Sequence, residues 1–276
     1  MNVFDKMMSR YDIFSDEDFM NAQHEVMQQI ALAGLYRGGF FRKAAFYGGT
    51  CLRLFYGLKR FSEDMDFSLL HPESGFTLES YFESVIHEFK ALGRDVIIEK
   101  KRKTRQTNIE SAFLKDNTAI YNLQFRTERR VRIKIEVDTD PPQGFFTEPK
   151  LLLLPFSFMT HCFTLPDLYA GKIHALLFRT WKNRVKGRDW YDFEWYVRNG
   201  VDLNMDHLNK RIKQTRPEAV TLSQEGLKKL LKDKILQTNI NWVKDDVRPF
   251  MKDPEETNIW SREYFTQLVD RIQFKL

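Results

Sequence analysis

Apolar residues recur along the chain with two periods, and the change from one to the other organises it. From residue 16 to 37, Phe19, Ala22, Val26, Ile30 and Leu35 fall mostly three or four positions apart, and Gly38-Gly39 follows. That spacing predicts an amphipathic helix and its stop. Ala44 to Tyr47 is a short apolar run ahead of Gly48-Gly49-Thr50, and helical spacing resumes through Leu52, Phe55 and Tyr56. A strand, a tight glycine turn and a helix are expected in succession. Asp64 to Leu69 alternates polar and apolar, so it predicts a strand that buries Met65, Phe67 and Leu69 and puts Asp64 and Asp66 on the opposite face.

A predicted helix over 77–92 leads into three strand-like runs, 95–101, 118–126 and 131–138, with the pattern of an antiparallel meander. In the last run Val131, Ile133, Ile135 and Val137 point one way and Arg132, Lys134, Glu136 and Asp138 the other, so a second acidic pair shares a sheet face. Pro141-Pro142-Gln143-Gly144 punctuates the chain, and 156–165 predicts one further strand. From Pro166 onward the strand signal fades, and helices are expected over 166–181, 188–197, 204–213, 222–235 and 258–274. The reading is an α+β chain: a mixed-sheet lobe with N-terminal helices over 1–160, then a helical lobe over 161–276.

Composition narrows the class. With 276 residues, 42% of them hydrophobic and 29% charged, the chain can bury a sizeable core and global disorder is excluded. Its longest apolar run, near Leu151 to Leu154, is far short of a membrane span, and the charged first 20 residues lack the apolar core of a secretory signal. A cytoplasmic protein with no membrane partner is expected. Cys51 and Cys162 stand without a metal-binding pattern and are expected as reduced thiols. The net charge of +5 is modest but unevenly spread: Arg94 to Lys134 holds 12 basic against five acidic residues, and Gly171 to Arg188 has six basic residues and no acid. Such zones suit a polyanion, because each neutralised phosphate releases counterions; solvated surface is the plainer alternative.

The candidate chemistry sits at the glycine turn and just after it. Gly48, Gly49 and Thr50 at a strand-to-helix turn would offer backbone N–H groups and the positive helix end to a phosphate. Asp64 and Asp66 follow closely enough for one short helix and a return strand. Two carboxylates on one strand face repel by on the order of 4 kcal/mol at 4 Å in an effective dielectric near 20 unless a cation lies between them, and Mg2+ is the simplest such cation. A third carboxylate on a neighbouring strand would complete a two-metal arrangement, and Glu136 and Asp138 compete for that place.

The run from Gly48 to Phe67, GGTCLRLFYGLKRFSEDMDF, resembles the AbiEii family of nucleotidyltransferase toxins, within the DNA polymerase beta-like nucleotidyltransferase superfamily, whose signature reads GG[ST]xLR and then RFSxDxDF. Lys172 to Arg179 and Arg188 to Phe193 are similar to that family's KxxALxxR and RDxxD[LF] blocks. Cys51, Met65 and Phe193 are mild departures at positions where packing should tolerate them. The resemblance implies Mg2+-dependent transfer of a nucleoside monophosphate from an NTP to an acceptor hydroxyl, with pyrophosphate released. It implies that Gly48, Gly49 and Thr50 hold the triphosphate, Asp64 and Asp66 the metals, and Lys172 neutralises triphosphate charge. Arg53 would contact phosphate or brace the acidic strand; Arg179 would join Lys172, and Asp189 or Asp192 would serve the site. It further implies an RNA acceptor, most plausibly the tRNA 3' end, and a cognate antitoxin encoded by an adjacent gene.

The residues themselves leave alternatives open. Lys172 and Arg179, seven apart, would lie on one helix face. Arg188 and Asp192 are spaced for a helical ion pair, and Asp189 for a first-turn helix acid. His174, a lone imidazole beside apolar neighbours, reads as a packed or exposed histidine before a catalytic base. Trp181, Trp190 and Tyr191 fit packing between lobes or stacking on a base. The segment Lys100-Lys101-Arg102-Lys103-Thr104-Arg105 is a candidate RNA contact. A protein or small-molecule hydroxyl as acceptor, or a non-catalytic RNA- or partner-binding module of the same fold, are the competing readings.

Overall fold

The computed structural model describes residues 2–100, 118–125, 132–179 and 185–275. They form two compact units. The first comprises Met1–Cys51, Glu63–Pro141 and Thr147–Cys162; the second comprises Leu52–Ser62, Pro142–Phe146 and Phe163–Leu276. Against an expected boundary at residue 160, the main division falls at Cys162, and two short segments that precede it in sequence belong to the helical unit.

The first unit is built on a seven-stranded mixed sheet. Its strands are β1 (Ala44–Tyr47), β2 (Met65–Leu69), β3 (Val96–Lys100), β4 (Thr118–Phe125), β5 (Arg132–Asp138), β6 (Thr147–Leu152) and β7 (Phe158–Phe163), in the order β3-β4-β5-β2-β1-β7-β6. The β3-β4-β5 meander is antiparallel, β2 runs parallel to β5 and antiparallel to β1, and β1 runs parallel to β7. Met65, Phe67, Ile133, Ile135 and Val137 are buried, as alternation along β2 and β5 requires, and Phe67 stacks on Phe46 with ring centroids 4.9 Å apart. The strand β6 escaped the sequence pattern because Pro149 interrupts it; at the sheet edge a proline costs no ladder bond.

Against the sheet lie α1 (Val3–Met8), α2 (Asp16–Arg37) and α4 (Phe82–Ala91). Ser15 caps α2 by accepting from the Asp18 N–H, and Asp16, Glu17 and Asp18 fill its first turn, so sequence and helix dipole agree on where it starts. Gly34 lets α4 approach closely: a Cβ there would lie 2.6 Å from Val85 Cα. Arg37 then ties the pair by an ion pair to the buried Glu88 at 2.6 Å.

The second unit contains α5 (Leu165–Phe178), α6 (Gly187–Arg198), α7 (Met205–Thr215), α8 (Gln224–Gln237), α9 (Ile240–Val247) and α10 (Arg262–Asp270), with a two-stranded parallel pair, β8 (Asp202–Leu203) and β9 (Gln273–Phe274). The strand signal that fades after Pro166 returns only in that pair, whose two-residue strands are too short to show a period. The helix expected over 258–274 is likewise confined to Arg262–Asp270. Tyr169 of α5 stacks on Tyr196 of α6 with centroids 4.4 Å apart. Its buried carboxylates are satisfied: Asp167 accepts from Phe146 N, Thr164 Oγ1 and Asn204 Nδ2, and Glu194 from Trp260 Nε1 and Tyr264 Oη.

Candidate active site

In the sheet unit, the site follows from register. Tyr47, the last residue of β1, pairs with Asp66, so the residue after Tyr47 must turn next to the Asp66 side chain. That residue is Gly48, which opens α3 (Gly48–Tyr56) with φ +83°. A Cβ at this position would collide with Asp66 Oδ2. Two demands therefore meet at Gly48: a left-handed backbone that L side chains resist, and room for a carboxylate laid on the turn. Two positions on, the buried Thr50 hydroxyl donates to the Asp64 carbonyl, which fastens the start of α3 to the start of the acidic strand. Asp64 itself precedes β2, so the observed strand starts one residue later than the one the alternation predicts.

On its other side Asp66 pairs with Glu136, and Ser68 with Asp138. Glu136 Oε1 receives Lys134 Nζ at 2.5 Å. Asp138 is buried and its Oδ1 accepts the Asp140 N–H at 3.2 Å, which turns that carboxylate toward the chain following β5. Among the described residues no group of three or more His, Cys, Asp or Glu side chains is gathered as a metal centre. Burial pushes the Lys134 ammonium down, but Glu136 outweighs it, with Asp64 and Asp66 adding, and the net shift is upward. His24 of α2, which sequence reasoning did not single out, meets Arg132 O at 3.2 Å with its Nε2 and feels Glu63 and Asp64; burial dominates and lowers its pKa.

In the helical unit, the second pair of motifs closes into one buried network. Lys172 Nζ reaches Asp189 Oδ1 at 2.8 Å and Asp192 Oδ2 at 2.7 Å. Arg60 clamps Asp192 with two bonds, Nε to Oδ1 at 2.6 Å and Nη2 to Oδ2 at 2.7 Å. Arg60 is 3% exposed and Asp192 is 0% exposed, so the pair is desolvated. Burial raises the Asp189 pKa, but Lys172, Arg179 and Lys186 together hold it far below the carboxylate range; Arg60 and Lys172 hold Asp192 low in the same way. Arg188 is stacked over Phe250 at 4.0 Å. The expected Arg188–Asp192 helical pair thus gives way to a stronger partner, since the rigid guanidinium fork of Arg60 matches the carboxylate edge.

Other expectations resolve individually. Arg53 Nη1 donates to Leu58 O at 3.2 Å and Lys59 O at 2.5 Å, bracing the loop that delivers Arg60. The helix α5 ends at Phe178, and Arg179 is extended at φ −71°, ψ 123°, so Lys172 and Arg179 do not share a helix face. His174 is packed, its Nε2 2.9 Å from Thr215 Oγ1. Trp190 and Tyr191 are buried, with ring contacts to Phe265 and Trp260 of the same helical unit, which argues against the base-stacking reading. Residues 101–105 of the basic segment, and Trp181, lie outside the described residues, as do Lys182 and Arg184 of the second basic block.

A glycine turn laid on a strand carboxylate, in a mixed sheet followed in sequence by helices, defines the class: a nucleotidyltransferase fold. A family model, the nucleotidyl transferase AbiEii toxin of type IV toxin–antitoxin systems, matches residues 30–271, and the chain belongs to that family. It is a nucleotidyltransferase toxin of a toxin–antitoxin system. The fold is similar to that of JHP933 from Helicobacter pylori, at 18% identity and TM-score 0.55 over 93% of this chain and 90% of that one. It is also similar to MenT4, a nucleotidyltransferase toxin from Mycobacterium tuberculosis, at 14% identity and TM-score 0.54 over 97% and 98% of the two chains. No curated protein gives a significant match.

Three outcomes test this geometry. Gly48→Ala should displace Asp66, cut nucleotidyl transfer by on the order of tenfold or more, and cost about 1–2 kcal/mol of stability in denaturant melts. Arg60→Met should cost about 3 kcal/mol because it leaves Asp192 buried with one cation fewer, and Arg60→Lys should restore only part of that. Lys186 is pushed from its ordinary 10.5 down to about 8, by burial first and Arg179 next. Between those values the unfolded chain binds more protons than the folded one, so stability rises with pH through that window. Lys186→Met should therefore raise Tm at pH 7, and the gain should shrink as pH climbs from about 8 to above 10.

Proposed function

We propose that this toxin transfers a nucleoside monophosphate from an NTP to the 3' hydroxyl of tRNA in a Mg2+-dependent reaction that stops translation. The observation that carries the reading is the Asp66 carboxylate lodged against the Cβ-free turn at Gly48. Asp64 and Asp66 are oxygen donors of the kind magnesium takes, and the glycine supplies space beside them, so these residues fit the ion. When bound, magnesium would neutralise charge on the transferring phosphoryl group.

The residues' own part is placement. Backbone N–H groups at Gly48 and Gly49, at the start of α3, are suited to phosphate oxygens of the NTP. The acceptor hydroxyl oxygen bonds to the α-phosphorus, the bond from that phosphorus to the oxygen bridging it to the β-phosphorus breaks, and pyrophosphate leaves with that oxygen. The hydroxyl proton passes to solvent or to a nearby carboxylate. Lys172 directs two of its three N–H bonds at Asp189 and Asp192, and its part in neutralising triphosphate charge is supported by family membership. The RNA acceptor is supported by the local excess of basic residues from Arg94 to Lys134 and by family membership. Family membership also supports an antitoxin as partner.

Incubating the protein with total tRNA and each α-labelled NTP in turn, with Mg2+ present, should label tRNA with one or a few nucleotides. Asp66→Asn, which preserves shape, should lower labelling by on the order of a hundredfold or more while changing Tm little. Labelling of protein instead of tRNA would redirect the acceptor, and full labelling by Asp66→Asn would remove the metal assignment.

A further inference from the structure

Three acidic side chains and one basic one interleave around β2 and β5. Asp66 stands opposite Glu136 in the parallel ladder, and continuing the Met65–Ile135 register back by one residue puts Asp64 beside Lys134. The sequence alternation places Lys134, Glu136 and the two aspartates on the polar face, opposite the buried Ile133, Ile135 and Met65. Left to themselves, three neighbouring carboxylates would repel strongly, and a two-metal site would use that repulsion to draw in cations. Here a cation is already built in. Lys134 Nζ holds Glu136 Oε1 at 2.5 Å, with the two side chains 32% and 22% exposed, so the pair is partly shielded from water.

We infer that Lys134 is a resident counter-cation of this face, which keeps Glu136 out of the metal shell and leaves Asp64 and Asp66 to share a single divalent ion. The inference rests on the metal reading proposed above and goes further by assigning Lys134 and the number of ions. Among the described residues no third acid joins the two aspartates as a metal-holding group, which is what Lys134 capturing Glu136 would produce. An ammonium and a metal ion drawn to the same carboxylates also repel each other. Lys134 therefore sets how tightly the first ion binds, and it fills the electrostatic role of a second. It is a positioning residue: it acts through Glu136 and the aspartates.

The test is titration of the nucleotide-free protein with Mn2+ alone, following unbound Mn2+ by electron paramagnetic resonance. Wild type should bind one Mn2+ per chain, and Asp66→Asn should lose it. Lys134→Met, which removes the competing charge and releases Glu136, should bind Mn2+ on the order of tenfold more tightly. Lys134→Arg, which keeps the charge, should stay within about twofold of wild type. Lys134→Gln is the second neutral variant if Lys134→Met does not melt cooperatively. Unchanged affinity in the neutral variants, or two ions bound by wild type, would overturn the role of Lys134 while leaving the metal reading standing. No Mn2+ bound by wild type, or binding that survives Asp66→Asn, would overturn the metal reading itself and this inference with it.

Discussion

The sheet unit depends on a carboxylate and a backbone turn occupying the same small volume. Asp66 could not lie against the start of α3 if Gly48 carried a Cβ, and Gly48 could not hold φ +83° without strain if it were any other residue. The ladder fixes where the two meet, because Tyr47 pairs with Asp66 and a one-residue slip would send the aspartate to the apolar face. The acidity of the site is thus enforced by the hydrophobic core beneath it. Phe46 and Phe67 hold the register by stacking, and the polar residues between them inherit their positions.

Charge in the helical unit obeys a different rule. Lys172 and Arg60 face Asp189 and Asp192, so the half-buried ammonium and the three buried groups balance and the network is internally neutral. Taking such groups out of water is unfavourable unless every lone pair and proton finds a partner, and the doubly bonded Arg60–Asp192 pair meets that condition. The two aspartates of the RDxxD block therefore serve first as anchors that orient cations. The burial of Asp192 argues against a direct role in proton transfer. Positive charge beyond that balance comes from Arg179 and Lys186, both of which act on Asp189.

Much of this was legible in the sequence wherever a local period carried it. The acidic face of β2, the buried face of β5 and the glycine turn follow from alternation and from the steric needs of a tight strand-to-helix turn. What the sequence could not show are contacts between residues remote in the chain. Arg60 and Asp192 are 132 positions apart, and neither the helical spacing of Arg188 and Asp192 nor the block around Arg60 signals their pairing. The end of α5 is equally hidden, since neither glycine nor proline marks it, and seven-residue spacing alone puts Arg179 on the face of Lys172. Trp190 and Tyr191 have the chemistry of a stacking platform; only their burial beside Phe265 and Trp260 decides that they are core.

The two halves of the motif set are joined covalently by a short, instructive stretch. Between Thr50, which is bonded to the Asp64 carbonyl, and Asp64 itself, the chain passes through Arg53 and Arg60. Arg53 ties down Leu58 and Lys59, and Arg60 ends in the buried clamp on Asp192. Leu52–Ser62 is accordingly part of the helical unit, although it lies between two elements of the sheet unit. Within the single run Arg60-Phe61-Ser62-Glu63-Asp64-Met65-Asp66, the arginine therefore secures a buried carboxylate of the helical unit while the two aspartates belong to the sheet unit.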